Sequence, residues 1–337
     1  MALAAPSLSR TETHLWDGVL NIRKEACWTS HDVVARLRTR LKGGKVGHAG
    51  TLDPAATGVL PILIGKATRI AEYLLTWDKQ YLVELRLGES TDTQDATGTV
   101  TAQRSVSQLN DQSVREAVAQ FEGRISQLPP MYSAVKVNGV PLYKAARVGR
   151  EVERQVREVT VDRIDVLRLQ IPDVTLRVVC SKGTYMRTLC ADIGESLGVG
   201  GHMRALERER VGPLTVARAL TVHEAETRAA SGTLGEVLLT LDSALREFPA
   251  CMVNADVARR VIHGAPVCGR DVQAWEPAFP SDLFDAGRAI RVKDHQGRLL
   301  AIGTIRQQGE AGAADKLIVP SKVLATDRDG TVGKVIQ

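Results

Sequence analysis

Residues 47–61 are the stretch of the chain that most restricts how it can fold. They place one carboxylate, Asp53, among glycines, prolines and small apolar residues, and the next basic side chain is Lys66. Because Asp53 precedes a proline, its backbone is pushed away from helical geometry toward an extended state. Three glycines permit tight turns and the close approach of another backbone: Gly47, Gly50 and Gly58. The stretch predicts a rigid loop that aims one acid into a cleft.

The pair Asp53-Pro54 also has a common structural role, since an Asp often caps a helix whose first residue is Pro. The whole stretch argues for more than a cap. Its pattern, G-H-x-G-T-L-D-P-x-A-x-G-V-L-P, closely resembles the catalytic motif of the TruB family of tRNA pseudouridine synthases, which make pseudouridine in the T-loop of tRNA. The resemblance implies that Asp53 is a catalytic aspartate.

A second stretch, residues 180–189, resembles the family pattern S-x-G-T-Y-[IV]-R-[ST]-L. By this resemblance, Arg187 pairs with Asp53, and Tyr185 lies at the uracil, where its phenol could serve in proton transfer. An Asp has a usual pKa of about 3.9 and is charged at neutral pH, so we expect Arg187 mainly to position the acid. The plainer alternatives are a structural salt bridge for Arg187 and a buried core residue for Tyr185.

The resemblance implies substrate contacts at four further positions. Tyr81 matches a tyrosine that stacks on the flipped uracil, and His48 matches a histidine that inserts into the RNA and holds the base out of its stack. Leu206 matches an apolar residue near the uracil, and Asp95 belongs to an acidic turn that we expect to support the site from behind. Outside these motifs, a core tyrosine, an exposed histidine and a helix leucine are the plainer interpretations.

Residues 124–157 differ in character from their surroundings. Prolines interrupt the start of this segment, and several cations with interleaved tyrosines follow. Cations and aromatic rings suit phosphate contact and base stacking, although composition alone favours a solvated surface insertion. The part 128–136 resembles a stretch that leads, in the family, into an inserted element that grips the RNA. The candidate RNA-binding cations are Lys144, Arg147 and Arg150.

Alternating apolar and polar residues predict strands at 16–22, 81–87, 159–169 and 173–180. Helices are expected at 29–41, 67–75, 113–121, 184–197 and 201–209. Strands and helices with hairpin-like strand neighbours predict an α+β catalytic domain with a mixed, largely antiparallel sheet. Three short strands, at 289–293, 299–306 and 316–323, predict a small C-terminal β-barrel. That domain is similar to the PUA domain of RNA-modifying enzymes, and a generic β-barrel is the alternative.

The predicted organisation is a loose tail at 1–13, a catalytic domain at 14–247 and a PUA-like RNA-binding domain at 248–337. Hydrophobic residues make up 44% of the chain and charged residues 25%, which is typical of a soluble globular protein. The net charge of +5 is compatible with a polyanionic partner without being diagnostic of one. The five cysteines include no C-x-x-C pair, so neither a zinc site nor a disulfide framework is indicated.

The N-terminus lacks the features of a signal peptide, and no apolar stretch is long enough to cross a bilayer, so we expect a cytoplasmic protein. The predicted function is isomerisation of uridine 55 of tRNA, without metal or cofactor, by a monomer that needs no membrane and no protein partner. Two alternatives stay open: a guide-RNA-dependent relative that acts on ribosomal RNA, and an RNA-binding or tRNA-folding protein without catalysis. A sugar hydrolase is less favoured, since no second carboxylate stands out as a partner for Asp53.

Overall fold

A computed structural model describes most of the chain. It covers residues 16–41, 44–133, 136–137, 139–142, 145, 150, 152–276, 287–307 and 316–326. The contacts divide the chain into two units, one of Asn21–Ile62 and Leu75–Leu234, the other of Met1–Leu20, Leu63–Leu74 and Gly235–Gln337. The predicted domain limits stay a prediction.

The main sheet has nine strands. In chain order they are β1 (Gly18–Lys24), β2 (Val46–His48), β3 (Thr57–Ile64), β4 (Lys79–Leu87), β7 (Gly123–Gln127), β10 (Arg157–Gln170), β11 (Asp173–Cys180), β12 (Gly201–Val211) and β13 (Leu214–Thr215). The order across the sheet is β1-β3-β12-β4-β11-β10-β7, with β2 beside β3 and β13 beside β12. The β3–β12 pairing is parallel, whereas β12–β4, β4–β11, β11–β10 and β10–β7 are antiparallel. The predicted mixed, largely antiparallel α+β fold is confirmed.

Two small hairpins accompany this sheet in the described part of the chain. One pairs β5 (Glu89–Thr91) with β6 (Val100–Gln103), and the other pairs β8 (Lys136–Val137) with β9 (Val140–Pro141). The helices are α1 (Ser30–Arg40), α2 (Ala71–Leu74), α3 (Asp111–Ala119), α4 (Met186–Ser196), α5 (Val222–Ser231), α6 (Leu241–Ala244) and α7 (Ala255–Val261). A 3₁₀ turn, Gly65–Ile70, runs into α2, so the helix expected at 67–75 is split between two helical types.

The strands form because one face of each is apolar. Along β4 and β11, buried residues alternate with more exposed ones, and Tyr81 lies opposite Val178 in the antiparallel register. Helix α1 begins where the sequence predicts, because Thr29 and Asp32 form a capping box that satisfies backbone N–H groups at the helix start. These local signals agree with the fold, which is why the sequence predicted them.

The expectation of a helix at 201–209 is wrong, since these residues form most of β12. The segment is rich in Ala, Leu, Glu and Arg, which favour helices. It lies between β3 and β4 in the sheet and hydrogen bonds to both, and this tertiary pairing overrides the local preference. Register shifts after Met203 and Arg208 also interrupt the alternation that marks a strand. Leu206 is therefore a strand residue.

The second sheet has six strands in the order β15-β19-β18-β17-β14-β16. They are β14 (Ala250–Val253), β15 (Val267–Cys268), β16 (Val272–Glu276), β17 (Ala289–Asp294), β18 (Leu299–Gln307) and β19 (Lys316–Val323). The sheet curls into a half-barrel around buried residues such as Val253, Val292 and Ile305. The predicted C-terminal β domain is confirmed, and its likeness to a PUA domain stays a prediction. Among the described helices, none has the length and apolar character needed to span a membrane.

Candidate active site

Asp53 and Arg187, which the two motifs place far apart in the chain, meet in the structure. Nε of Arg187 lies 3.0 Å from Oδ2 of Asp53. Asp53 belongs to the loop between β2 and β3, and Arg187 is the second residue of α4. The Arg187 side chain is 6% exposed, whereas that of Asp53 is 38% exposed. The pair thus has a buried cation behind a carboxylate that solvent reaches.

Two chain segments besides the Asp53 loop hold the guanidinium of Arg187 in place, one with Tyr132 and the other with Thr93 and Asp95. Nη2 donates to the carbonyl oxygen of Tyr132 at 2.8 Å, and Nη1 donates to that of Thr93 at 3.4 Å. Oδ2 of Asp95 lies 3.9 Å from Nε. The orientation of Arg187 is therefore determined independently of Asp53, as expected for a residue that positions the acid.

Asp95 is buried and satisfied within its own turn. Its Oδ1 accepts hydrogen bonds from the Thr93 hydroxyl at 2.8 Å, the Thr97 hydroxyl at 2.5 Å and the Thr97 backbone N–H at 2.9 Å. The remaining oxygen faces Arg187. This places Asp95 behind the arginine, where it can act on Asp53 only through its charge and through Arg187.

The backbone carbonyls on both sides of Asp53, from residue 50 to residue 54, all accept hydrogen bonds. The carbonyls of Gly50 and Thr51 accept from Arg208, and Leu52 exchanges hydrogen bonds with the Ser30 hydroxyl through both its N–H and its carbonyl. The carbonyl of Asp53 itself accepts from the N–H of Ala56. Because each of these carbonyls is held by a partner outside the loop or within it, the loop has few alternative conformations, in agreement with the predicted rigid loop.

Lys24 holds the end of this loop from the other side. Its ammonium group donates to the carbonyls of Pro54, Trp28 and Glu25, and the side chain is fully buried. Burial lowers the pKa of Lys24 to about 8, against the opposing attraction of Asp53. The loop that carries Asp53 is thus fixed by two buried cations, Lys24 and Arg208.

The surroundings of Asp53 raise its pKa. Desolvation is the largest cause and outweighs the attraction of Arg187, while the negative charge of Asp95 raises the pKa further. Lys24 and Arg208 lower it by smaller amounts. The sequence led us to expect an aspartate with an ordinary pKa, and the correction arises because the loop and the buried arginine remove water from one side of the carboxylate.

Tyr185 immediately precedes α4, and its backbone is held by a side chain that the sequence reasoning missed. Oε1 of Gln127 accepts from the Tyr185 N–H at 2.9 Å, and Nε2 of Gln127 donates to the Tyr185 carbonyl at 3.2 Å. Gln127 is 1% exposed. The signal was present, because Gln127 begins the proline-broken stretch of the insertion, but its role depends on a contact between distant segments.

The remaining predicted residues lie in different settings. Tyr81 is buried on β4, and its hydroxyl interacts with Arg208. His48 is half-buried at the end of β2, and its buried Nδ1 has no hydrogen-bond partner among the described residues. Burial lowers the pKa of His48, assisted by the charges of Arg208 and His31. The charge of Arg208, which holds the Asp53 loop, thus acts on both Tyr81 and His48.

Leu206 is partly buried and packs against the core that includes Tyr81 and Met186. Arg150 is exposed, and its N–H donates to the carbonyl of Ala145 at 3.0 Å. Lys144 and Arg147 lie outside the described residues. The RNA-binding role of these cations and the substrate contact of Leu206 stay predictions.

Comparison with known proteins identifies the family. A model described as "TruB family pseudouridylate synthase (N terminal domain)" matches residues 38–186, and one described as "tRNA pseudouridylate synthase B C-terminal domain" matches residues 187–246. The tRNA pseudouridine synthase B of Geobacter sulfurreducens is 47% identical over 257 residues, which are 76% of this chain and 84% of that protein. The chain belongs to the TruB family of pseudouridylate synthases.

Two further relatives agree with this assignment. The tRNA pseudouridine synthase B of Burkholderia mallei is 41% identical over 310 residues, covering 92% of this chain and 97% of that protein. A chain in the crystal structure of a Cbf5-Nop10-Gar1 complex superposes with a TM-score of 0.72 at 28% identity, covering 93% of this chain and 87% of that chain. The sequence and the fold therefore indicate the same enzyme family.

Proposed function

We propose that the protein converts uridine 55 in the T-loop of tRNA to pseudouridine, with Asp53 as the catalytic carboxylate. The observation that carries this proposal is the Asp53–Arg187 pair at 3.0 Å, formed by the two motifs that resemble the family. Curated relatives that are 47% and 41% identical to this chain are named tRNA pseudouridine synthase B. This similarity supports the substrate, and the geometry of the site supports the proposed chemistry.

The reaction breaks the bond between C1′ and N1 of uridine and forms a bond between C1′ and C5. The proton on C5 is lost and one is gained at N1, so the change is balanced without an oxidant, a reductant or net hydrolysis. A carboxylate suffices either as a nucleophile toward the sugar or base, or as a negative charge that stabilises the reaction while another group moves the C2′ proton. Both roles require Asp53 to be ionised and accessible.

The other side chains support this chemistry from fixed positions. Arg187 orients the carboxylate, and two other segments hold its guanidinium. Tyr185 is assigned to the base and to proton transfer, and Tyr81 to stacking on the uracil, which contributes about 1–3 kcal/mol per base. His48, whose buried Nδ1 lacks a partner among the described residues, is assigned to hold the target base out of its stack.

The test is to incubate purified protein with unmodified tRNA, without guide RNA or other proteins, and to map pseudouridine in the product. We expect modification at one T-loop uridine. We expect the Asp53→Asn variant to form none while its tRNA affinity stays within about threefold, since the carboxylate contributes to the chemical step more than to binding. Normal turnover by this variant contradicts the proposed mechanism.

Asp173→Asn is a matched control. The Asp173 side chain is 37% exposed and also lies 3.0 Å from an arginine, Arg86, but it is in the β10–β11 turn region, away from the motif loop. It should retain full activity. A requirement for guide RNA would instead support the alternative function of the Cbf5-type relative, and tRNA binding without any pseudouridine formation would support a non-catalytic RNA-binding protein.

A further inference from the structure

Arg208 is the largest of the fully buried side chains among the described residues. It lies outside both of the motifs that carry Asp53 and Arg187. It is 1% exposed, and no carboxylate in the described part of the chain lies within ion-pair distance of it. Burying a cation without such a partner costs several kcal/mol unless hydrogen bonds compensate. In Arg208 the compensation comes from hydrogen bonds to backbone carbonyls, so its burial ties those carbonyls to one position.

The donors of Arg208 are directed at both ends of the catalytic loop. Nη2 donates to the carbonyl of Gly50 at 3.0 Å, Nη1 to that of Thr51 at 3.3 Å, and Nε to that of Val59 at 2.7 Å. Asp53 lies between these positions in the chain. One planar guanidinium therefore fixes where the loop leaves β2 and where it enters β3.

The same side chain reaches the neighbouring strand. In the sheet, Arg208 lies opposite Gly58 of β3 on one side and opposite Tyr81 of β4 on the other. Its guanidinium interacts with the Tyr81 hydroxyl. Arg208 thus connects the loop that carries the acid to the strand that carries the aromatic ring.

We propose that Arg208 is a positioning residue for the isomerisation, which holds the Asp53 loop and the Tyr81 hydroxyl in the relative arrangement that the reaction needs. This inference rests on the proposed function. The rigid fork of a guanidinium can hold three carbonyls and a hydroxyl at once, whereas the single ammonium group of a lysine cannot. Catalysis should therefore depend on the shape of this side chain as well as on its charge.

The charge of Arg208 supplies a readout that needs no RNA. Burial lowers the pKa of His48 most, and the charge of Arg208 lowers it further. His31 is the other charged group that lowers this pKa. The charge of Arg208 also lowers the pKa of Asp53, together with Arg187 and Lys24 and against Asp95. Removing the charge should raise both pKa values if the side chain occupies the position described.

The experiment compares Arg208→Met and Arg208→Lys with Arg210→Met in the full-length protein. Arg210 is on the same strand, is partly exposed and pairs with Asp78, so it controls for loss of a strand arginine. The pKa of His48 is measured by NMR titration of the free protein, with a His48→Gln variant to assign the signal. We expect it to rise in Arg208→Met and to remain unchanged in Arg210→Met.

Single-turnover rates on unmodified tRNA give the second readout, with thermal unfolding to show that each variant is folded. We expect Arg208→Met to lose about 100-fold in rate with little change in KM, as misplaced catalytic groups do. Arg208→Lys keeps the charge and should lose about tenfold while the pKa of His48 stays near that of the wild type. Arg210→Met should match the wild type in both measurements.

A folded Arg208→Lys variant with the wild-type rate overturns the inference, even if Arg208→Met does not fold. A folded Arg208→Met variant with an unchanged His48 pKa and rate also overturns it. A wild-type protein that forms no pseudouridine contradicts the proposed function instead. The two failures are therefore distinguishable.

Discussion

Gly58→Ala tests how closely the strand after the catalytic loop approaches the strand that carries Arg208. Gly58 has a φ of +101°, and a Cβ atom built on it would lie 2.3 Å from the carbonyl oxygen and 2.7 Å from the nitrogen of Arg208. Both are backbone atoms, so no flexible side chain can move aside. The substitution should both strain the backbone and push β12 away from β3.

The magnitude follows from these two contributions. An alanine held at a positive φ costs about 1–3 kcal/mol. Forcing an additional methyl group into a packed contact costs about 1–3 kcal/mol more. The total loss of about 2–6 kcal/mol is large for a protein whose whole stability is about 5–15 kcal/mol.

Gly123→Ala separates the two contributions. Gly123 has a similar φ of +94°, and a Cβ atom built on it would have nothing within 4 Å, so alanine there carries only the backbone cost. The entropy that each substitution removes from the unfolded chain is the same and cancels in the comparison. In thermal unfolding, Gly58→Ala should therefore melt at a lower temperature than Gly123→Ala. The difference should be about 2–4 °C for each kcal/mol that the steric contact with Arg208 costs.

Activity gives a second comparison between the same two variants. The displaced strand carries Arg208, so Gly58→Ala should also slow pseudouridine formation at a temperature where it is still folded, whereas Gly123→Ala should not. Equal melting temperatures for the two variants would refute the reasoning. Equal values would mean that β12 moves to accommodate the methyl group without a loss of stability. The close approach at Gly58 would then not hold Arg208 in place.

Three other substitutions test further contacts of the site. Ser30→Ala should lower the stability by about 1–3 kcal/mol, because it leaves the buried N–H of Leu52 without its partner, and thermal unfolding with a rate assay measures this. Gln127→Met should reduce kcat more than it raises KM, since it releases the backbone of Tyr185, and steady-state kinetics on tRNA give that split. Reversing the charge of three cations of the insertion together should weaken tRNA binding and flatten the salt dependence of that binding. These cations are Lys144, Arg147 and Arg150.

The sequence predicted the parts of the fold whose local preference agrees with their surroundings. Strands β4 and β11 each bury one face, so the alternation of apolar and polar residues was visible in the sequence. β12 was missed because its residues favour a helix and its register shifts conceal the alternation. Pairing with two neighbouring strands decides its structure, and a local window of sequence contains no information about those neighbours.

The same distinction explains the outcome at the site. The pairing of Asp53 with Arg187 was predictable because two long motifs identified both residues. Arg208 was not, because Arg204 and Arg210 on the same strand are both partly exposed and paired with carboxylates. Which arginine turns inward depends on the bulges of β12 and on the carbonyls that the catalytic loop presents. The raised pKa of Asp53 was missed for a related reason, since desolvation is set by residues distant in the chain.

That raised pKa implies that the ionised carboxylate of Asp53 costs the protein stability. The folded state holds a proton on Asp53 more tightly than the unfolded chain does, so the ionised form is unfavourable to folding at neutral pH. This cost disappears as the pH falls through the folded-state pKa, because Asp53 then folds as the neutral acid. A group retained at such a cost is typical of a functional site.

Asp53→Asn, which we expect to be inactive, should therefore melt at a higher temperature than the wild type at pH 7, and the difference should shrink as the pH is lowered. The neutral amide avoids the desolvation cost, and Arg187 keeps its hydrogen bonds to Tyr132 and Thr93. Asp173→Asn, which loses comparable arginine contacts in an exposed setting, should show no such gain. If Asp53→Asn is instead less stable than the wild type at pH 7, the attraction of Arg187 outweighs desolvation, and the site is built to stabilise its charge rather than to tolerate it.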